Sequence, residues 1–222
     1  VYAADTIVLN QSGGPPLNDL KLTGFMDRIA QEAFSRLNVK LEIVQLPAER
    51  SLINSNKGII DGEMGRIAGL NSKYKNLVQV NEKIMDWEFV VYSNKKINLN
   101  NGWNSLIPYT VAIINGWKIL EKNVPSEVEL TKVKYQAQLF GMLKLHRSDL
   151  IIYEKWSGKY YLKKNNITDV KLIPRPLITK ELFIYLNKKH SKLAVKLASS
   201  LKSMKDDGTY KKIESETLKK LE

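Results

Sequence analysis

Short continuous apolar runs and spaced apolar repeats take turns along this chain. Ile7 to Leu9 is a short run closed by the turn-forming Gln11-Ser12-Gly13-Gly14-Pro15-Pro16, as expected of a strand that ends in a loop. After Gly24, apolar residues recur at Phe25, Ile29, Ala33 and Leu37, with Met26, Ala30 and Phe34 beside them, which is one face of a helix. Leu41 to Leu46 reads as a strand stopped by Pro47, and Ala48 to Lys57 as a short helix stopped by Gly58. Ile59-Ile60 then predicts a buried strand running into Asp61-Gly62.

The same order returns further on. Thr110 to Ile114 is a strand, Asn115-Gly116 a turn into a helix over Trp117 to Lys122, and Val128 to Lys134 a strand. Gln136 to Leu145 is a helix, and Leu150 to Tyr153 a continuous apolar run of the kind found in buried parallel strands. Alternation of strand and helix is the grammar of a parallel sheet with helices on its faces. Two extended strands, Trp87 to Asn94 and Leu182 to Leu186, connect the two halves, and a last helix from near Lys189 is expected to bury Leu193, Val195, Leu197, Ala198 and Leu201. The pattern predicts two α/β lobes with a double-strand hinge. A cleft between lobes joined in this way is a natural ligand site.

Composition narrows the class. With 222 residues, 43% hydrophobic and 26% charged, the chain is long enough for one large or two small cores. It has no cysteine, which excludes thiolate zinc sites, disulfides and a cysteine nucleophile. Val1-Tyr2-Ala3-Ala4-Asp5 reads as the end of a signal peptide and predicts export. The net charge is +12, and residues 144–192 hold 12 Lys/Arg against Asp149, Glu154, Asp169 and Glu181. These are mostly lysines without a helix-turn-helix, zinc-finger or ribonucleoprotein pattern, so they read as a solvated surface and no nucleic-acid partner is expected. The two histidines, His146 and His190, read as solvated or capping. No G-x-S-x-G, H-E-x-x-H or P-loop motif occurs, which removes the common hydrolase, zincin and P-loop templates, and no cofactor or metal is expected.

Four stretches together carry a family resemblance: Pro15-Pro16 with Gly24-Phe25; Gly58-Ile59-Ile60-Asp61; Arg147-Ser148-Asp149-Leu150; and the closing Asp206-Asp207-Gly208-Thr209-Tyr210-Lys211-Lys212-Ile213. In this order and spacing they resemble the type II periplasmic solute-binding proteins of family 3, which serve amino-acid ABC importers. The resemblance implies a Venus-flytrap fold, with lobe 1 from residues 1–94 plus 182–222 and lobe 2 from 95–181. It also implies a periplasmic, monomeric binding protein rather than an enzyme, with a small polar ligand such as an amino acid and delivery to an ABC permease at the inner membrane. A sensory domain of the same fold, or a cyclohexadienyl dehydratase-like enzyme, is the alternative.

The resemblance also indicates where a ligand would be held. The arginine that pairs with a ligand carboxylate in amino-acid-binding members falls on Lys73 or on Arg66. The lobe-2 helix N-terminus that receives the carboxylate falls on Asn115-Gly116-Trp117, with Trp117 in place of a hydroxyl and able to wall a ligand. The acid that pairs with a ligand ammonium falls on Glu154. Position alone adds Gln11 and Ser12 after the first strand, Arg50 at a helix start, Glu63 after the Asp61-Gly62 turn, and Trp87 before the hinge.

Overall fold

The computed structural model describes residues 6–222, and the stretch 1–5 read as a signal-peptide remnant lies outside the described residues. The elements run β1 (Thr6–Gln11), α1 (Phe25–Ser35), β2 (Lys40–Gln45), α2 (Ala48–Lys57), β3 (Gly62–Ile67), β4 (Leu77–Gln79) and β5 (Met85–Ser93). They continue with β6 (Thr110–Ile114), α3 (Lys118–Asn123), β7 (Glu129–Val133), α4 (Gln136–Lys144), β8 (Leu150–Glu154), α5 (Lys155–Lys164), β9 (Lys171–Asn187), α6 (Ser191–Asp206) and α7 (Thr209–Thr217). The chain forms two compact units: the described residues up to Asp86 together with Lys180–Glu222, and Trp87–Thr179. β5 thus falls almost wholly in the second unit.

In unit 1, β1 lies between β2 and β3 and is parallel to both. The C-terminal half of β9 runs antiparallel to β3 and β4. α1 buries Phe25, Met26, Ile29, Ala30, Ala33 and Phe34, the face its spacing predicts. α6 and α7 pack on it: the Ser200 hydroxyl donates to the Ala33 carbonyl, and Tyr210 meets the Phe25 ring edge-on at 5.5 Å. Gly208 makes the turn between these two helices with φ 85°, where a Cβ is strained, so that Ile213 and Leu218 reach the core.

In unit 2 the strand order is β5-β8-β6-β7, with β5 antiparallel to β8 and the others parallel. Both faces are covered. Val111, Ile113, Leu150 and Ile152 join Phe89 and Val91 on one face; Ala112, Ile114, Ile151 and Tyr153 join Val90 and Tyr92 on the other. This two-sided burial is why these strands read as unbroken apolar runs.

Four expectations are corrected. β3 begins at Gly62, after Asp61, instead of preceding the Asp61-Gly62 turn, and Ile59 is 67% exposed. The strand read as Leu182 to Leu186 is the end of β9, which continues through Pro174 and Pro176. Val195 is 70% exposed, since α6 buries Ala194, Leu197, Ser200, Leu201 and Met204. His190 is not simply solvated: its Nε2 lies 2.7 Å from Asp61 Oδ1.

Candidate functional site

Parallel strands in an α/β sheet present their ligand loops at the carboxyl ends. In unit 1 that edge carries a buried polar network. Glu63, fully buried in β3, is its centre. Ser55 Oγ donates to Glu63 Oε1 at 2.7 Å, and Ser51 Oγ to Oε2 at 3.1 Å. Arg66 donates from Nε and Nη2 to the same Oε2, at 3.0 and 2.6 Å, and from Nη2 to Ser51 Oγ at 3.2 Å. Asn10, at the end of β1, donates more weakly to Glu63 at 3.4 Å and accepts the Leu46 N–H at 2.7 Å, which ties the ends of β1 and β2 into the network. A buried carboxylate with this many donors is satisfied, and its charge is offset by the guanidinium. A β-bulge between Glu63 and Arg66, with Gly65 at φ 75°, turns Arg66 back onto its partner. Nη1 of Arg66 has no partner among the described residues.

Gln11 ends β1 with its side chain buried. Its Nε2 donates to the Asp19 carbonyl at 3.1 Å, and its Oε1 has no protein partner among the described residues. Ser12 is exposed beside it. The loop that follows is anchored by Asp27 of α1, which accepts from Asn18 Nδ2 (2.7 Å), the Asp19 N–H (2.9 Å) and the Gly24 N–H (3.2 Å). Burial outweighs these bonds and raises the Asp27 pKa above the usual carboxylate range. Arg50 and Lys73 are exposed and make no hydrogen bond to the Glu63 network; Lys73 Nζ sits 5.3 Å from the Tyr74 ring centre.

The corresponding edge of unit 2 is aromatic. Trp117, at the N-cap of α3, stacks on Tyr153 with centroids 5.0 Å apart and planes 12° from parallel, and it meets Phe89 edge-on at 5.5 Å. Trp87 packs on Phe89 at 4.6 Å and lies 6.4 Å from Trp117. Both tryptophans keep part of their surface exposed. Burial, with the nearby Glu154 charge, pushes the Tyr153 phenol up to about 12.

The groups read as ligand contacts in unit 2, at Asn115-Gly116 and at Glu154, have internal partners. Gly116, with φ 85°, donates its N–H to Glu121 Oε1 at 2.9 Å, and the exposed Asn115 donates its N–H to the Val133 carbonyl at 2.8 Å. The Glu121 carboxyl is held at about 2 by Lys118 and by that Gly116 N–H. Glu154 is buried at the N-cap of α5, accepting the N–H groups of Trp156 at 3.0 Å and Ser157 at 2.6 Å. Its pKa is raised by burial in spite of these bonds.

The structure therefore joins Glu63 with Arg66 in unit 1, and Trp87 with Trp117 in unit 2, and gives Arg50 and Lys73 no hydrogen bond to the Glu63 network. Sequence reasoning missed Asn10, Ser51 and Ser55. The signal was there in Ser51 and Ser55, which stand four residues apart and so share a face of the predicted helix.

The two α/β units, joined by two chain crossings, define the two-lobed type II periplasmic-binding-protein fold. Many solved structures share it, among them the following two. The probable amino-acid ABC transporter extracellular-binding protein YtmK of Bacillus subtilis matches with a TM-score of 0.79 and 18% identity, over 97% of this chain and 99% of that one. A histidine kinase sensor domain with similarity to periplasmic binding proteins matches with a TM-score of 0.72 and 13% identity, over 97% and 96%. Among curated proteins, an uncharacterized protein of Shewanella oneidensis is 26% identical over 195 residues, 83% of this chain and 72% of that protein. The model of the bacterial extracellular solute-binding proteins, family 3, matches residues 13–220, and the chain belongs to that family.

Proposed function

We propose that this protein captures a small polar solute, an amino acid or a related compound, outside the cytoplasm and delivers it to an ABC permease of the inner membrane. The observation that carries the reading is Arg66: a buried carboxylate grips one edge of its guanidinium at the carboxyl ends of parallel strands and leaves Nη1 unengaged. Gln11 and Ser12, on the neighbouring strand end, supply hydrogen-bonding groups. This polar edge favours a ligand with a carboxylate or another acceptor.

The test is a thermal-shift screen against amino acids, small carboxylates, polyamines and short oligosaccharides. A solute that binds the folded state raises the melting temperature in proportion to the logarithm of its concentration over Kd. The reading expects one chemical class to stand out and the others to leave the transition in place; a panel without any shift contradicts it. The sensor-domain match favours a second reading, in which the same capture is reported to a signalling partner. Stimulation of a reconstituted permease's ATPase by the liganded protein separates the two: transport requires it and sensing does not.

A further inference from the structure

The most one-sided stretch of charge in the sequence lies late in unit 1. From Lys188 to Lys205 there are six lysines and no Asp or Glu. Two are engaged: Lys189 with Asp61 at 2.7 Å, and Lys205 with Glu82. The side chains of Lys188, Lys192, Lys196 and Lys202 are exposed and have no partner among the described residues. On α6, Lys192, Val195, Lys196, Ser199 and Lys202 follow helical spacing and form one exposed stripe, with Val195 70% exposed in its middle. A shallow cavity of about 830 Å³ opens beside the N-terminal end of the stripe; Arg36, Lys188, Lys189, Lys192 and Lys196 line it, and no carboxylate does. Of the nearby acids, Asp207 is taken by Arg36 and Asp61 by Lys189 and His190, which leaves the exposed Asp206 at the last position of α6 as the single carboxylate on that helix.

We propose that this lysine face is a docking surface for an anionic lipid leaflet. Charge complementarity argues for it, and the chemistry of the side chains narrows the partner. Lysine is a strongly hydrated point charge on a flexible stem, suited to diffuse attraction by a charged surface and poorly suited to bidentate readout. The stripe offers no aromatic, Asn or Arg side chain with which to stack on or read a base. One exposed valine between lysines fits a helix lying against headgroups, with its apolar atoms toward the acyl boundary. A protein of an extracellular family meets lipid headgroups at high density and nucleic acid seldom. Held by this face, the protein would gather at the membrane surface through an interaction independent of any solute.

Vesicle co-sedimentation tests the proposal, using neutral phosphatidylcholine vesicles and vesicles containing about a third phosphatidylglycerol. The face variant is K188E/K192E/K196E/K202E. The control K96E/K122E/K144E/K171E places the same charge change on exposed lysines of unit 2. The expected result is binding to anionic vesicles only, weakened at high salt, with a loss of at least about tenfold for the face variant and under about threefold for the control. Equal losses in the two variants would show that net charge alone acts, and would overturn the proposal. So would absence of wild-type binding to anionic vesicles, or capture of duplex DNA through the same lysines with no binding to vesicles. Because charge reversal can disturb folding, the four Lys→Gln changes serve as a second face variant, which must lose binding at an unchanged melting temperature.

Discussion

In unit 1, Asp61 stands just before β3 and fastens it to β1: its Oδ2 accepts the Val8 N–H at 2.9 Å and its own N–H donates to the Val8 carbonyl at 2.9 Å. In unit 2, Asp149 fastens β8 to β6 in the same way, through the Thr110 N–H at 2.9 Å and the Thr110 carbonyl at 3.0 Å. Each latch has a lysine beside it, Lys189 for Asp61 and Lys95 for Asp149. Five residues past each latch the units part company. Arg66 stands there in unit 1 and Glu154 in unit 2. Arg66 belongs to a network of side-chain hydrogen bonds, while Glu154 caps a helix beneath an aromatic cluster. The same frame thus carries two kinds of strand edge. The frame follows from backbone pairing that both units need, whereas each edge is set by a few side chains that pairing does not constrain.

The contrast can be broken most forcefully at Glu63. Glu63→Ala leaves the Arg66 guanidinium and the buried Ser55 hydroxyl without their acceptor, with an expected loss of roughly 3–5 kcal/mol in urea unfolding. The double change Glu63→Gln with Arg66→Met is expected to recover much of it, because no uncompensated charge remains. Equal losses for single and double variants would show that the ion pair is not the centre of the network.

Trp117→Ala probes the other edge. It removes the stack on Tyr153 and the contact with Phe89, and since Trp117 is only half-buried the expected loss is about 2 kcal/mol. Near-UV circular dichroism should lose intensity with it. A neutral result would mean that the ring is held loosely and is not part of a formed wall.

The smallest effects concern what the units share. Burial pushes the Asp61 pKa up, but bonds from Lys189, the Val8 N–H and His190 prevail and hold it below the usual carboxylate range. Asp149 is held low by Lys95 first and then by the Thr110 N–H. A carboxyl depressed in the folded state contributes stability above its unfolded pKa and loses it as pH falls through the folded value. Asp61→Asn and Asp149→Asn are therefore each expected to cost about 1 kcal/mol at pH 7, with the difference from wild type shrinking below about pH 4. A loss in one unit only, or one that persists at acid pH, would break the equivalence of the latches.

Much of the frame was legible because its signals are local. α2 begins after Pro47 and ends at Gly58, where φ is 75°, so proline and glycine mark its limits in the sequence itself. The strands of unit 2 are buried on both faces and so announce themselves as apolar runs. β3 was misplaced for the converse reason: its buried positions are Gly62, Glu63 and Met64, and a charged residue satisfied by distant donors does not look like core. Val195 was misread because an apolar residue on a helix was assigned to the buried face although its spacing puts it with the lysines. At the edges, residue type pointed to Glu63, Arg66 and Trp117, but not to the internal partners that Gly116 and Glu154 find. Those depend on loop paths that no spacing rule supplies.

Chemical-shift mapping by NMR tests the central claim most directly, with the stabilising solute titrated into labelled protein. The account predicts that the Gln11 and Ser12 amides and the Arg66 guanidinium signals move together with one apparent Kd. Shifts that spare the Arg66 guanidinium, or that centre on the lysine stripe of α6, would contradict it.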